Sequence, residues 1–305
     1  WLAFLERVLP DPAVREYVQR AIGYSLTGST VEQCMFIVYG TGRNGKSTFL
    51  ETIGTMLGDY RMETPTSTLM SSKRDDDGGP RNDVARLKGA RMVTAMEAEE
   101  GRRLAEARIK ELCGGDMISA RFLHREFFQF KPTHKLWLRA NHKPIVRGTD
   151  EGIWRRIKLI PFMEYISDQE LDESLPDRLL RDELPGILSW AVEGCIKWQR
   201  DGLREPAAVS QHTASYRNEM DVLGAFLEEC CVTGPSESVS AAQLYSTFRD
   251  WAQEGGEYLM SQTMFGRRLN DRGFRREKSR DDNNRVWWHG VGLSQAGAGR
   301  QFETV

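Results

Sequence analysis

The sequence predicts an α/β fold built on a parallel sheet, and three observations carry that prediction. Apolar runs of strand length recur in the first half, at Cys34–Tyr39, Arg91–Met96, Lys135–Ala140 and Ile157–Phe162. Segments of helical periodicity lie between and around them, and such alternation of strand with helix is how a parallel sheet is connected. A glycine-rich turn then joins the first of these runs directly to a helix, the kind of join at which open α/β sheets hold their ligands.

In chain order, residues 1–30 read as a helical segment, with Val14, Tyr17, Val18, Ala21 and Ile22 at helical spacing and Gly23 and Gly28 as punctuation. The sheet-bearing core is expected over 31–165. After the glycine-rich turn, Phe49, Leu50, Ile53, Met56 and Leu57 line one face of a helix. Residues 71–81 (SSKRDDDGGPR) are polar and Gly/Pro-bearing, a surface loop. Residues 166–221 form a helical segment and linker, helical from Leu184 to Arg200 and loosened around Gly202–Val209. Residues 222–292 read as a small separate domain of three helices and a β-hairpin. The Gly/Ala/Ser/Gln-rich stretch 293–305 is expected to be disordered.

Composition narrows the function classes. The length of 305 residues exceeds a single typical core and predicts two domains, or one and a half, and 40% apolar with 28% charged residues is ordinary for a globular protein. No run of eighteen apolar residues is present and no signal peptide opens the chain, so no membrane partner is expected. A start at Trp1 instead of Met predicts a piece of a longer protein. The five cysteines and five histidines show neither zinc spacing nor a disulfide framework. A net charge of −2 means that any surface for nucleic acid must be local.

Gly40-Thr41-Gly42-Arg43-Asn44-Gly45-Lys46-Ser47 matches G-x-x-x-x-G-K-[ST] at every fixed position, and these residues with Thr48 are the nucleotide-binding candidates. Glycines let successive backbone N–H groups turn inward around a phosphate, and the helix aims its positive end there. Lys46 would reach the β- and γ-phosphates of ATP, and the Ser47 hydroxyl would ligate Mg²⁺. A chance match in a chain this long is on the order of one in a hundred.

Such a site needs an acid for the metal or the attacking water. The run Arg91–Met96 ends in Glu97-Ala98-Glu99-Glu100, and Glu97 is the first choice for that role, with Glu99 or Glu100 as sharers. The run Lys135–Ala140 ends in Asn141, placed as a polar sensor of the γ-phosphate or the lytic water. Taken alone, Asn141 before Pro144 is a turn residue; in series with the other two motifs it is a site residue.

With these three strand ends in place, the chain resembles the superfamily 3 helicases, and within them the phage/plasmid and poxvirus-like primase-helicase branch. The resemblance runs from YVQRAIGYSLTG (17–28) through GTGRNGKSTFLETIGTMLGDY (40–60), NDVARLKGARMVTAMEAEE (82–100) and IKELCGGDMISARFLHREFFQFKPTHKLWLRANHKP (109–144) to DEGIWRRIKLIPF (150–162). It implies an AAA+-type P-loop NTPase core in a homo-oligomer, a hexameric ring with ATP at subunit interfaces. It also implies movement 3′ to 5′ on single-stranded DNA and unwinding of forked DNA. A primase domain upstream, a phage or plasmid replicon and the bacterial cytosol are implied in the same way; no primase residues stand in this sequence.

Two family features map by residue. The first is a DNA-contacting hairpin, which falls on Ile118–Phe130: two alternating strands about a polar tip, with Arg121, His124 and Arg125 directed at phosphates. Lys110, in the same motif, is a weaker candidate for a trans-acting or channel lysine. The second is an arginine finger, an Arg that neutralises charge on ATP held by the neighbouring subunit. Arg155-Arg156 stands at that place, with register favouring Arg156.

Residues 222–292 resemble the winged helix that the family carries at this end. Between Arg267 and Arg285 stand eight basic and four acidic residues, an excess suited to phosphate backbone, with Arg267, Arg268, Arg275 and Arg276 as the DNA-binding candidates. Of Trp287 and Trp288, one is expected in the core. Two other readings compete with a ring helicase: a packaging motor or loader that does not unwind, and an initiator module whose P-loop only switches assembly.

Overall fold

The four apolar runs become four parallel strands of one sheet. The structure, a computed structural model, describes residues 1–71, 81–96, 100–148, 150–278 and 285–299. The chain divides into two units, Trp1–Arg217 and Asn218 onward.

The first unit runs α1 (Leu2–Val8), α2 (Pro12–Ser25), β1 (Met35–Tyr39), α3 (Lys46–Leu57), β2 (Arg61–Glu63), α4 (Asn82–Ala85), β3 (Met92–Met96) and α5 (Glu106–Cys113). It continues through β4 (Ile118–Ala120), β5 (Phe128–Phe130), β6 (Lys135–Ala140), α6 (Glu151–Trp154), β7 (Ile157–Pro161), α7 (Leu175–Arg178), α8 (Leu184–Asp201) and α9 (Ala207–Glu219). Strand order is β2-β3-β6-β1-β7, every pairing parallel, while β4 and β5 form a separate antiparallel pair. The inner strands are largely apolar because residues on both sheet faces are buried, with Thr94 of β3 and Lys135 and Arg139 of β6 as their polar positions. Helix α2 starts where Pro12 presets the backbone and the Asp11 carboxylate accepts Ala13 N–H at 2.8 Å.

One hydrophobic core joins α2 (Tyr17, Val18, Ile22), β1 (Phe36, Val38), α3 (Phe49, Ile53), Trp137 of β6 and Ala191 of α8. Phe36 stacks on Trp137 with ring centroids 4.4 Å apart. The helical segments expected at 1–30 and 166–221 thus pack into the same core as the sheet. Among the described residues no helix is long and apolar enough to cross a membrane.

The second unit runs α10 (Val222–Cys230), β8 (Cys231–Ser240), α11 (Ala241–Glu254), α12 (Gln262–Asp271), β9 (Arg275–Lys278), β10 (Val286–Leu293) and α13 (Gln295–Gly299). Its sheet is antiparallel, in the order β8-β10-β9. Ser240 and Ser261 cap α11 and α12. Phe226, Phe248, Phe265, Leu269 and Trp288 form its core. Trp288 is buried and Trp287 half-buried.

Two expectations need correction. Strand β8 was not anticipated in 231–240, since Gly234-Pro235-Ser236-Glu237 shows no apolar alternation; it pairs through backbone at its two ends, across an irregularity in register. The stretch 293–305, expected to be disordered throughout, instead begins with the end of β10 and the helix α13. Ser294 accepts from Gly297 N–H at 3.2 Å, and Gly297 lies so close to the Cys230 carbonyl that a Cβ there would sit 2.2 Å from it.

Candidate functional site

The cradle is built from the end of β1 and the start of α3. Gly40 has no room for a side chain: a Cβ there would lie 2.1 Å from the Phe162 carbonyl and 2.2 Å from Asn44 Nδ2. Gly45, at φ +79°, turns the chain into α3 in a conformation that other residues rarely adopt. Asn44 locks the loop from within, donating from Nδ2 to the Phe162 carbonyl at 2.9 Å and accepting Lys46 Nζ on Oδ1 at 2.7 Å. Lys46 Nζ also donates to the Gly40 carbonyl at 2.7 Å. Arg43 ties the rim outward, to the Tyr165 hydroxyl at 3.2 Å and to Asp168.

Lys46 is 4% exposed, and its ammonium pKa is pushed down to about 8, first by burial and then by the nearby positive charge of Arg139. A cation held at this cost, with its donors on neutral oxygens, is poised for a ligand bearing concentrated negative charge.

The loop opens on a cleft of about 410 Å³ lined by Gly42–Thr48 together with Met96, Arg139, Asn141, Ile166 and Leu171. Sheet order explains the convergence. Strand β6 lies between β1 and β3, with Ala140 opposite Tyr39 and Arg139 opposite Met96, so three carboxyl-terminal strand ends meet at one edge. Ser47 is exposed at the mouth, Asn141 lies one residue beyond β6, and Thr41 is exposed on the loop without lining the cleft. Glu97 and Glu99 lie outside the described residues; Met96, which immediately precedes Glu97, lines the cleft. Glu100 Oε1 lies 3.9 Å from His142 Nδ1.

Arg139 was missed from sequence. It was read as part of a buried strand, yet its guanidinium faces the cleft beside Lys46 and contacts the Met96 sulfur. The available signal was a charge two residues before Asn141, directly after the apolar run Leu136-Trp137-Leu138.

Arg155 and Arg156 stand at the other end of the sheet. Ile157 pairs with Met35, five residues before Gly40, and Arg156 stands one position earlier, which puts the pair about 20 Å from the loop at ~3.3 Å per residue. Neither can serve the Lys46 cleft of its own chain. Arg155 is exposed and donates to Gln33 Oε1 at 3.2 Å. Arg156 is 9% exposed, donates from Nη1 to the Gly152 carbonyl at 2.5 Å, and keeps a buried Nε with no partner among the described residues. Lys110 pairs with Asp150 at 2.8 Å on the surface.

The hairpin tip is less polar than expected. His124, at φ +59°, and Arg125 are exposed at the turn, closed by Arg125 N–H to the Phe122 carbonyl at 3.0 Å. Phe122, Leu123 and Phe127 are exposed beside them, and the Arg121 guanidinium, instead of reaching outward, lies 4.7 Å from the Phe127 ring centroid.

In the second unit, Arg267, Arg275 and Arg276 are exposed, and Arg267 and Arg276 share a cleft of about 510 Å³ with Gln262, Thr263 and Asn270. Arg268 does not belong with them. It is 8% exposed because it follows Phe265 by three residues and adjoins Leu269, on the face of α12 that packs into the core.

Residues 38–156 match a family described as of unknown function (DUF5906), and residues 218–290 match the poxvirus D5 protein-like family. Over 266 residues the chain is 31% identical to L207/L206 of Acanthamoeba polyphaga mimivirus, a protein named as an inferred helicase, covering 81% of this chain and 28% of that one. It is 26% identical over 273 residues to 022R of Frog virus 3 (isolate Goorha), likewise named as an inferred helicase, covering 82% and 27%. To C962R of African swine fever virus (strain Badajoz 1971 Vero-adapted), named as an inferred primase, it is 22% identical over 265 residues, covering 81% and 28%. The chain thus spans little more than a quarter of the length of these relatives. Among solved structures, the apo C-terminal region of NrS-1 superposes with a TM-score of 0.58 at 12% identity, over 95% of this chain and 74% of that one.

Proposed function

Since the chain belongs to the superfamily 3 primase-helicase family, we propose that it is an ATP-hydrolysing motor that unwinds DNA during replication. The observation that carries this reading is the convergence of Lys46, Arg139, Asn141 and the residue before Glu97 on one cleft at the carboxyl ends of β1, β6 and β3.

In this reading the backbone of residues 40–45 and Lys46 bind the triphosphate, with Lys46 exchanging the Gly40 and Asn44 oxygens for phosphate oxygens. Arg139 adds a second positive charge from the same chain, and Asn141 orients the attacking water or the γ-phosphate. Ser47, with an exposed hydroxyl beside Lys46, and Glu97 would hold Mg²⁺, an ion that takes oxygen ligands and neutralises charge on bridged phosphates. Glu97 also polarises the attacking water, with Glu99 and Glu100 as the alternatives. Arg156, or Arg155 beside it, acts on ATP held by the neighbouring subunit. Their position about 20 Å from the chain's own loop supports a role in trans, hence a closed ring of subunits, six in the family's pattern.

His124 and Arg125 face single-stranded DNA. The second unit follows the helix–strand–helix–helix–strand–strand order of a winged helix, and Arg267, Arg275 and Arg276 on it contact phosphate backbone. The setting proposed is replication of a viral or plasmid genome, alongside a primase elsewhere in the longer protein. The bacterial cytosol rests on motif resemblance alone, and the relatives named above come from mimivirus, Frog virus 3 and African swine fever virus.

The direct test is phosphate release from Mg²⁺-ATP. Lys46→Ala should lower it by about 10³-fold or more, as expected when a buried charge on the transferred phosphate is lost. Binding of single-stranded DNA should survive. Hydrolysis by Lys46→Ala near the parental rate would refute the site.

A further inference from the structure

Arg43 stands in the phosphate loop, yet its guanidinium is bonded to a different segment. It donates to the Tyr165 hydroxyl at 3.2 Å and pairs with Asp168, while the Arg43 carbonyl accepts Ile166 N–H at 2.7 Å. One loop residue thus holds residues 163–171, the stretch that leaves β7, by side chain and backbone alike. Arg43 does so at φ +47°, a conformation that residues with a Cβ rarely adopt and that persists where surrounding contacts fix it. A second arginine clamps the same stretch. Arg7 of α1 donates to the Tyr165 carbonyl at 2.7 Å and to the two Glu170 carboxylate oxygens at 3.2 and 3.0 Å. Helix α1 is itself fitted to the loop, since a Cβ on Gly45 would sit 2.7 Å from Val8 Cγ1.

The clamped stretch puts Ile166 and Leu171 on the wall of the nucleotide cleft. Leu171 is 50% exposed there, which forgoes the stabilisation that burial of an aliphatic side chain brings. Sheet order indicates what this wall faces. Arg139 and Asn141 come from β6 and its end, on one side of β1. Residues 163–171 continue β7, on the other side, where Phe162 N–H donates to the Tyr39 carbonyl at 2.7 Å. A triphosphate whose terminal phosphate lies toward Arg139 and Asn141 therefore points its nucleoside toward Ile166 and Leu171. An apolar wall suits the face of a base or sugar and does not suit phosphate.

We infer that residues 163–171 form the wall against which the nucleoside packs, with Leu171 and Ile166 as its contacts, and that Arg43 is a positioning residue for this wall and not a phosphate ligand. The inference rests on the motor reading above and deepens it, since that reading gives the Arg43 side chain no role and leaves the nucleoside unplaced.

The test compares two probes by isothermal titration with the full 305-residue chain: Mg²⁺-tripolyphosphate, which carries no nucleoside, and a non-hydrolysable ATP analogue. Leu171→Ser should weaken the analogue about tenfold or more, as loss of an apolar pocket contact does, and leave tripolyphosphate at parental affinity. Arg43→Asn, a replacement that tolerates the left-handed backbone, should weaken the analogue about 3- to 5-fold, again with tripolyphosphate unchanged. Asp168→Asn should do the same from the other side of the pair, and Arg43→Lys should retain most of the parental affinity. Lys46→Ala should lose both probes. Arg181→Ser, which removes an exposed arginine paired with Asp182, should change neither. Thermal melting shows that the variants are folded. Equal weakening of both probes by Arg43→Asn makes Arg43 a phosphate ligand and overturns its positioning role. Parental analogue affinity in Leu171→Ser overturns the wall. In both cases hydrolysis by the unaltered chain leaves the motor reading intact. Split affinities in a chain that hydrolyses no ATP leave the wall standing and remove the motor. Binding of neither probe by the unaltered chain removes the motor and the wall together.

Discussion

Two sites, one in each unit, hold positive charge in opposite ways. In the first, Lys46 is buried, bonded to Gly40 and Asn44 oxygens, and its pKa is pushed down to about 8. In the second, Arg267, Arg275 and Arg276 stand in solvent on α12 and β9. A buried, pre-positioned cation costs desolvation and rewards one compact anion at one place. Exposed arginines cost little and reward a long polyanion by counterion release, with strong dependence on salt. The difference separates chemistry from grip, and each of the following measurements can break or sharpen that separation.

The largest expected effect belongs to an arginine in neither class. Arg156→Ala should bind nucleotide and assemble normally yet hydrolyse ATP about 10³-fold or more slowly. Mixing it with Lys46→Ala before ATP or DNA is added should restore activity, because some junctions then pair an intact Lys46 with an intact Arg156. Rescue by Arg155→Ala instead would assign the role to the more exposed neighbour. Absence of rescue from either, in rings shown to be mixed, would mean that ATP is not hydrolysed between subunits.

A smaller effect follows from the Lys46 proton. Burial lowers the pKa of the free site to about 8, and bound triphosphate, being negative, must raise it. The charged form is the one that binds phosphate, so affinity is full below about pH 8 and falls as pH rises through it. The loss should approach tenfold per pH unit until the pKa of the occupied site is reached. Isothermal titration with a non-hydrolysable ATP analogue from pH 7 to 9.5 checks this, and Lys46→Arg should flatten the profile. A flat parental profile would place the ammonium outside the phosphate contact.

The smallest expected effect is on the second unit. Arg267→Ser with Arg276→Ser should weaken DNA binding roughly evenly across sequences and lower the salt slope by about 0.9 per lost contact on duplex. Arg268→Ser should instead lower the melting temperature, because its side chain is packed within the unit. A salt slope that shifts with Arg268→Ser and not with the other two would reverse the assignment.

These outcomes also mark how far the sequence could be read. The loop from Gly40 to Ser47 was legible because its chemistry fixes residue types at fixed spacing, and the apolar runs were legible because a strand buried on both faces leaves no polar alternation. Strand order was not legible, since pairing is decided by contacts far apart in the chain. Without knowing that β6 lies between β1 and β3, Arg139 reads as a misplaced charge and not as a neighbour of Lys46. Arg268 was misread although the pattern was present: Phe265, Arg268 and Leu269 share one helical face, and a count of basic residues ignores facing. The hairpin tip reads as polar from Arg121, His124 and Arg125, yet Phe122, Leu123 and Phe127 stand in the same seven residues.

The central claim, that ATP hydrolysis here is coupled to separation of DNA strands, is tested most directly by strand displacement on forked DNA. Two substrates, one with a single 3′ tail for loading and one with a single 5′ tail, are presented to the assembled chain with Mg²⁺-ATP. The account predicts release of the strand from the 3′-tailed substrate only, none with Lys46→Ala, and none with a non-hydrolysable analogue. Release from neither substrate, while phosphate release proceeds at full rate, would contradict it and favour a motor that packages or loads DNA without unwinding it.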